Sequence, residues 1–329
     1  MSSQTKRIIN KSLKKVKDKY NILTFDTHER YQTQMCKTGH NFYCFSYDGA
    51  KEWDSNFSKR PDNYYRLPKN SLVNYVDFDF ILSHSKFGQF QASHQINNHL
   101  RLPVVSLEHT LPIPSWPTEQ TESFKKMIGD INIFISQYSV ERWSMNCDAK
   151  VIKHSVDSNL FCPGEGERKN HVLSVANDFI NRDYCLNYKG WKRVTEGFPV
   201  RVVGDTPGLS EAAKDVSELV SEYQTSSIFF NSSTISPVPT SLLEAMSCGC
   251  AVVSTATCMI PEVIEHGVNG FISNNEEELK NYIQQLINDP QLAAKMGDAA
   301  RKTVVEDFSE QKFINNWNEI FDLAYRMKK

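Results

Sequence analysis

The sequence predicts an α/β protein of two domains, each built on a sheet of buried strands. Three observations carry this. The stretch from Ser236 to Phe271, SPVPTSLLEAMSCGCAVVSTATCMIPEVIEHGVNGF, encodes a helix start, a buried strand and a glycine-rich turn in immediate succession. Short, continuously apolar runs recur along the chain, of the kind that fills parallel strands covered on both faces. The length of 329 residues suits two domains of about 150 residues, each with its own core.

Taken in order, Asn21-Ile-Leu-Thr-Phe25 reads as the opening strand. The loop Asp26-Thr-His-Glu-Arg30 is polar and charged; capping of the next helix by Asp26 or Thr27 explains it as well as ligand contact does. Thr38-Gly-His40 followed by Phe42, Tyr43, Cys44 and Phe45 reads as a turn into a second strand, and Phe80-Ile-Leu-Ser-His84 and Pro103-Val-Val-Ser-Leu107 as two more. The domain joint falls between Val151 and Asn170, ending in the polar GEGERKN segment. Beyond it, His171–Ala176, Val200–Asp205, Ser226–Asn231 and Cys250–Ser254 are strands of a second sheet. Pro237 and Pro239 hold the approach to the next helix extended, so that it starts near Thr240 or Ser241. Leu242, Leu243 and Met246 are spaced to face a core, Glu244 sits within the first turn on another face, and Gly249 stops the helix with a left-handed cap. The first-turn amides and the helix dipole match a diphosphate. An ordinary α/β unit, in which Glu244 merely favours the helix entrance, fits the spacing equally. In the last helix, about 309–329, Phe313, Trp317, Ile320, Phe321 and Ala324 recur at helical spacing.

The Ser236–Phe271 stretch also resembles the nucleotide-binding signature of the family 4 glycosyltransferases of GT-B fold. In that signature, E-G-F-P-x-x-x-x-E-A-M-x-x-G-x-P-V-V precedes I-P-E-x-I-x-x-G-x-N-G-F. Pro239, Glu244, Ala245, Met246, Gly249, Val252, Val253, Pro261, Glu262, Ile264, Gly267, Asn269, Gly270 and Phe271 fall on it. The resemblance implies two Rossmann-like α/β/α domains whose parallel sheets face a central cleft. It assigns residues 21–150 to the acceptor side and 151–308 to the nucleotide-sugar side, with a 309–329 helix crossing back. It implies a retaining, metal-independent hexosyl- or pentosyltransferase with a nucleotide diphosphate-sugar as donor and no cofactor. Glu244 would then accept hydrogen bonds from ribose hydroxyls, and Gly204 would let the nucleotide approach the backbone. Two positions depart from the pattern: Ser236 stands where the first glutamate is expected, and Asn177 where an arginine is expected. Arg182 occupies the position of the family lysine, leaving one cation for the departing diphosphate, which its planar donor fork suits.

Donor contacts are therefore assigned to Asn177, Arg182, Gly204, Ser236, Pro239, Thr240, Ser241 and Glu244. Acceptor contacts are assigned to His28, Glu29, His84 and His109. His109, Arg182 and Ser236 are the catalytic candidates. By residue type alone Arg182 reads equally as an exposed loop charge, and a histidine after a strand more often serves as a structural hydrogen-bonder. Asp77-Phe-Asp79 has the D-x-D spacing by which metal-dependent glycosyltransferases of another fold hold a cation. Its alternation with Val76, Phe78 and Phe80 points instead to the entry of a buried strand, so no metal site is assigned.

Residues 1–150 hold 20 Lys and Arg against 15 Asp and Glu, whereas the remainder holds 17 against 24. Seven of the basic residues and one Asp lie in residues 1–20, a tail or helix that could meet an anionic membrane surface or a nucleic acid. A glycan or lipid acceptor is favoured. A hydroxymethylated DNA base is the alternative that the basic first half permits, although the near-neutral whole chain, net −2, lacks a broad cationic face. Nucleotide-sugar epimerase, hydrolase and non-catalytic binding functions on the same fold stay open. The eight cysteines form no C-x-x-C pair, which fits a reduced compartment better than a zinc site. No run of 18 apolar residues and no secretory apolar segment is seen, so a soluble, cytoplasmic protein is expected.

Overall fold

The computed structural model describes residues 16–55 and 58–328. Residues 1–15, which carry most of the basic N-terminal segment, lie outside the described residues. The chain divides into two compact units: one takes the chain through Lys153 and again from Gln311, the other runs His154–Glu310.

The first unit carries β1 (Asn21–Thr24), β2 (Asn41–Cys44), β3 (Tyr64–Arg66), β4 (Phe80–Ser83), β5 (Val104–Glu108), β6 (Ile131–Phe134) and β7 (Ala149–Val151). They form one sheet in the order β3-β2-β1-β4-β5-β6-β7, every pairing parallel. Helices α1 (Glu29–Cys36), α2 (Gln89–Leu100), α3 (Thr118–Lys125) and α4 (Gln137–Trp143) follow β1, β4, β5 and β6. β4, β5 and β6 are buried at every position, which is why β4 and β5 read as largely apolar runs. The chain reverses its direction of travel across the sheet between β1 and β4, so the carboxyl ends of these strands flank a topological switch point, where open α/β sheets bind ligands.

The second unit carries β8 (Lys169–Val175), β9 (Val200–Val203), β10 (Ser226–Asn231), β11 (Ala251–Ser254) and β12 (Phe271–Ile272), in the order β12-β11-β10-β8-β9. All are parallel, and the switch point lies between β8 and β10. The helices are α5 (Asp183–Leu186), α6 (Tyr188–Thr195), α7 (Val216–Thr225), α8 (Thr240–Ser247), α9 (Ile260–Val263), α10 (Glu276–Asn288) and α11 (Pro290–Asp307). Val172, Ile228, Phe230 and Val253 of the sheet meet Trp191, Val194, Ile283 and Leu286 of the helices in one core.

Two arginines hold α8 by its C-terminus. Arg168 donates to Ser226 O at 2.7 Å and to Cys248 O, and Arg301 donates to Ser247 O at 2.5 Å and to Phe161 O at 3.3 Å. Cations there satisfy the last carbonyls and complement the helix dipole. The helix start is thereby fixed at the carboxyl edge of the sheet.

The last helix, α12 (Glu310–Met327), buries Phe313, Trp317, Ile320, Phe321 and Ala324. From Gln311 it belongs to the first unit. Trp317 Nε1 donates to the Tyr31 hydroxyl at 3.2 Å, and Phe321 stacks on Phe80 at 5.4 Å. Two all-parallel sheets with intervening helices are the α/β architecture the sequence predicts.

Candidate functional site

On the second unit, four segments meet at the carboxyl edge: the ends of β8, β9 and β10, and the start of α8. Pro239, the N-cap of α8, offers no side-chain cap, so the amides of Thr240 and Ser241 open the helix without an intrahelical acceptor. Glu244 is the fifth residue of this helix and so lies beyond its first turn rather than within it; it is buried, and the Tyr223 hydroxyl donates to its Oε2 at 2.9 Å. Tyr223 is itself fully buried on α7, so the carboxylate is oriented by a fixed donor.

Gly204 follows β9 at φ 134°, and a Cβ there would lie 2.0 Å from the Ala176 carbonyl oxygen. Only glycine permits this closeness. The Asn177 Oδ1 accepts the Asp205 amide at 2.9 Å, and the Thr206 hydroxyl accepts the Phe179 amide at 3.0 Å, so the loops after β8 and β9 are stitched together. The side chain that replaces the family arginine at position 177 thus bonds to the neighbouring loop.

Arg182 caps α5 and is exposed beside Tyr184. The Cys185 carbonyl at the end of the same turn accepts the Thr234 and Ile235 amides at 2.8 and 3.1 Å, and the Ser232 hydroxyl donates to Leu186 O at 2.7 Å. These bonds fasten the Ser236 loop to α5. The half-buried Ser236 and the exposed Arg182 consequently lie on two segments tied to each other at the β8/β10 switch point. Asn231, whose Nδ2 donates to Ser254 Oγ at 2.9 Å, and Thr257, which donates to Ser233 O at 2.8 Å, secure the far side of this loop.

On the first unit, the carboxyl edge gathers three histidines. His109 follows β5, and its ring meets His28 at 4.9 Å, Tyr31 at 4.6 Å and His84 at 5.9 Å, the last pair being parallel to within 5°. His84 is fully buried, and its Nε2 pairs with Thr24 Oγ1 at 3.1 Å. Burial, with a smaller repulsion from His28, pushes its pKa down to about 3, so the ring is neutral. His28 is exposed. Glu29 is buried, and its carboxylate faces its own unit: it accepts Lys51 Nζ at 2.8 Å and the Asp54 amide at 3.0 Å. Neither Asp26 nor Thr27 caps α1. The N-cap is His28, without a side-chain bond, and the Gln32 Oε1 accepts the Thr27 and His28 amides at 2.8 and 3.1 Å. Asp26 is instead taken by the Tyr64 hydroxyl at 2.7 Å and the Trp53 amide at 3.2 Å.

Asp79 lies in the core, where its carboxylate accepts Lys17 Nζ at 2.6 Å and the Asn21 amide at 2.9 Å; Asp77 is paired with Lys328 at 2.8 Å. Among the described residues, no group of three or more His, Cys, Asp or Glu is placed to hold a metal ion. The same residues contain no helix long and apolar enough to cross a membrane. The supporting residues Tyr223, Arg168 and Arg301 escaped the sequence reading, because each acts on α8 from a distant segment.

Residues 211–303, which include α8 and Glu244, match the model of the glycosyl transferases group 1 family. That segment is similar to the group 1 glycosyltransferases, and the fold is of the GT-B kind. An uncharacterized glycosyltransferase of Haemophilus influenzae is 28% identical over 170 residues, 45% of this chain and 48% of that protein. N-acetyl-alpha-D-glucosaminyl L-malate synthase of Bacillus anthracis is 35% identical over 82 residues, 24% of this chain and 22% of that protein. The matches thus span about half or less of these curated relatives. Among solved structures, sucrose-phosphate synthase from Thermosynechococcus elongatus superposes with a TM-score of 0.76 at 12% identity, covering 93% of this chain and 99% of that one. Anabaena Alr3699/HepE in complex with UDP superposes with a TM-score of 0.71 at 16% identity, covering 92% and 100%.

Proposed function

We propose that this protein is a retaining, metal-independent glycosyltransferase that moves a hexosyl or pentosyl group from a nucleotide diphosphate donor to an acceptor hydroxyl. The observation that carries the reading is Glu244, buried one turn into a helix whose first amides have no side-chain cap, within the matched family segment. Glu244 binds the ribose hydroxyls. The amides of Thr240 and Ser241, with the Arg182 guanidinium, stabilise charge growing on the diphosphate as its bond to the anomeric carbon breaks. Such electrostatic stabilisation contributes about 3 kcal/mol per well-placed donor. The acceptor oxygen bonds to that carbon, and its proton passes to the departing diphosphate. Ser236 and the loop around it face the sugar, with Asn177, Gly204 and Pro239 shaping the donor edge. His109 and the exposed His28 form the acceptor edge of the first unit; the buried His84 and the Lys51-paired Glu29 are held within that unit and support the edge without meeting the acceptor. UDP is the first nucleotide to test, because Alr3699/HepE has been solved with it and with UDP-glucose.

The test is a thermal-shift and calorimetric screen of the purified protein against UDP, GDP, ADP and CDP and their sugar conjugates, without metal and then with magnesium. Stabilisation by one nucleotide without metal, deepened by one sugar conjugate, is the expected result. Silence across the screen overturns the donor site, and binding that requires magnesium overturns metal independence.

A further inference from the structure

A cavity of about 320 Å³ opens in the first unit at the same carboxyl edge as the histidines, between the segment after β2 and the start of α2. Its apolar lining is formed by Phe45, Ala92 and Ile96; its polar groups are the Tyr47 phenol and the carboxamides of Asn70, Gln91 and Gln95. Among the described residues, no lining side chain carries a formal charge. That chemistry disfavours phosphate, carboxylate or nucleic acid and favours a neutral ligand with an apolar face and several hydroxyls. Carboxamides both donate and accept, so they can serve neighbouring hydroxyls of a polyol. The volume sits at the low end of the roughly 300–1,000 Å³ typical of small-molecule pockets, which suits one ring better than an oligosaccharide.

The cavity is built from parts that hold each other. Phe25 meets the rings of both Phe45 and Tyr47 edge-on at 6.3 Å. Asn70 adopts φ 55°, its amide donates to Ser46 O at 2.8 Å, and its Nδ2 donates to Asp48 at 3.0 Å. Gly88 lies at φ 77°, and a Cβ there would stand 3.2 Å from the Tyr47 hydroxyl, so glycine keeps that hydroxyl where it is. The next residue, Gln89, joins the cavity wall to the histidine edge. It accepts the His84 amide at 3.0 Å and donates to Thr27 Oγ1 at 2.7 Å.

We propose that this cavity is a pyranose subsite that holds one uncharged sugar ring of a glycan acceptor. The C–H face of the ring lies against Phe45, and its hydroxyls reach the Tyr47 phenol and the carboxamides of Asn70, Gln91 and Gln95. The word acceptor rests on the glycosyltransferase reading; the sugar chemistry of the cavity does not.

The experiment titrates the full chain with methyl pyranosides of glucose, galactose, mannose and N-acetylglucosamine by saturation-transfer NMR, and with UDP by calorimetry. Wild type is compared with Tyr47→Phe and Gln95→Leu, after thermal unfolding has shown both variants folded. At least one pyranoside should bind saturably and weaken by about threefold to tenfold in each variant, the scale of one lost neutral hydrogen bond, while UDP affinity holds. No saturable pyranoside binding, or binding equal in all three proteins, overturns the subsite. UDP binding with silent pyranosides sinks the subsite and leaves the glycosyltransferase reading standing. Variant-sensitive pyranoside binding without any nucleotide binding supports the subsite and sinks the donor reading.

Discussion

Replacing Glu244 with alanine tests the donor site most directly, because the side chain has two roles that can be measured apart. It is 5% exposed and accepts the Tyr223 hydroxyl at 2.9 Å. Glu244→Ala removes the Glu244 partner of that buried hydroxyl, which should lower unfolding stability by about 1–3 kcal/mol. If the carboxylate also binds ribose hydroxyls, nucleotide affinity falls by a further charged hydrogen bond, about 1.5–3 kcal/mol, or roughly tenfold to 150-fold in Kd. Tyr223→Phe separates the two roles. It keeps the carboxylate and removes only its orienting donor, so stability should drop by about 0.5–1.5 kcal/mol with a smaller effect on affinity. Calorimetric titration with UDP, well below the unfolding temperature of each variant, gives both affinities. A folded Glu244→Ala protein that binds UDP as wild type does would refute the ribose assignment.

Arg182→Ala should reduce kcat more than donor affinity, since the charge it meets grows as the leaving group departs; an equal loss in kcat and in 1/Kd assigns it uniform binding instead. Gly204→Ala places a methyl 2.0 Å from the Ala176 oxygen at φ 134°, so strain and overpacking together should cost about 2–5 kcal/mol in chemical denaturation, and a loss below about 1 kcal/mol would contradict the geometry. The folded His84 pKa lies near 3, below its ordinary 6.5, so the unfolded chain binds the extra proton between these values. The His84 contribution to stability is therefore complete above pH 6.5 and is lost as pH falls, by about 2 kcal/mol between pH 6.5 and 5. In His84→Gln that part of the pH dependence should vanish; a difference from wild type that is the same at pH 7 and pH 5 would show that His84 is not held neutral.

The helix and strands at the carboxyl edge of the second unit were legible because their signals are local. Two prolines, an amphipathic helix and the buried run Ala251–Ser254 announce themselves within one stretch, and α8 begins at Thr240. What sequence could not show is long-range. Asn132 interrupts the apolar run of β6 and hides a strand that is buried throughout; it is accommodated because its carboxamide exchanges bonds with Gly129 N and O at 2.9 and 3.1 Å. β3 and β7 are three-residue edge strands, too short to display a pattern. Gln32 caps α1 from inside the helix, so the capping residue lies C-terminal to where cap signals are sought.

The two departures from the family pattern have different structural consequences. Asn177 is tied to the Asp205 amide, and so helps hold the loop that follows Gly204. Ser236 lies on a loop fastened through Thr234 and Ile235 to the turn that Arg182 begins. The positions where charge is missing are thus held in ordered segments that keep Arg182 and the α8 amides at one edge. On the proposed reading, with the arginine position filled by a neutral amide, Arg182 would meet the diphosphate without a second cation there, and the helix-start amides would carry more of its charge. Donor binding should therefore depend more on the backbone than on side-chain charge, and its response to salt should be shallow. A steep fall in UDP affinity with ionic strength would mean that other cations, from elsewhere in the chain, complete the site.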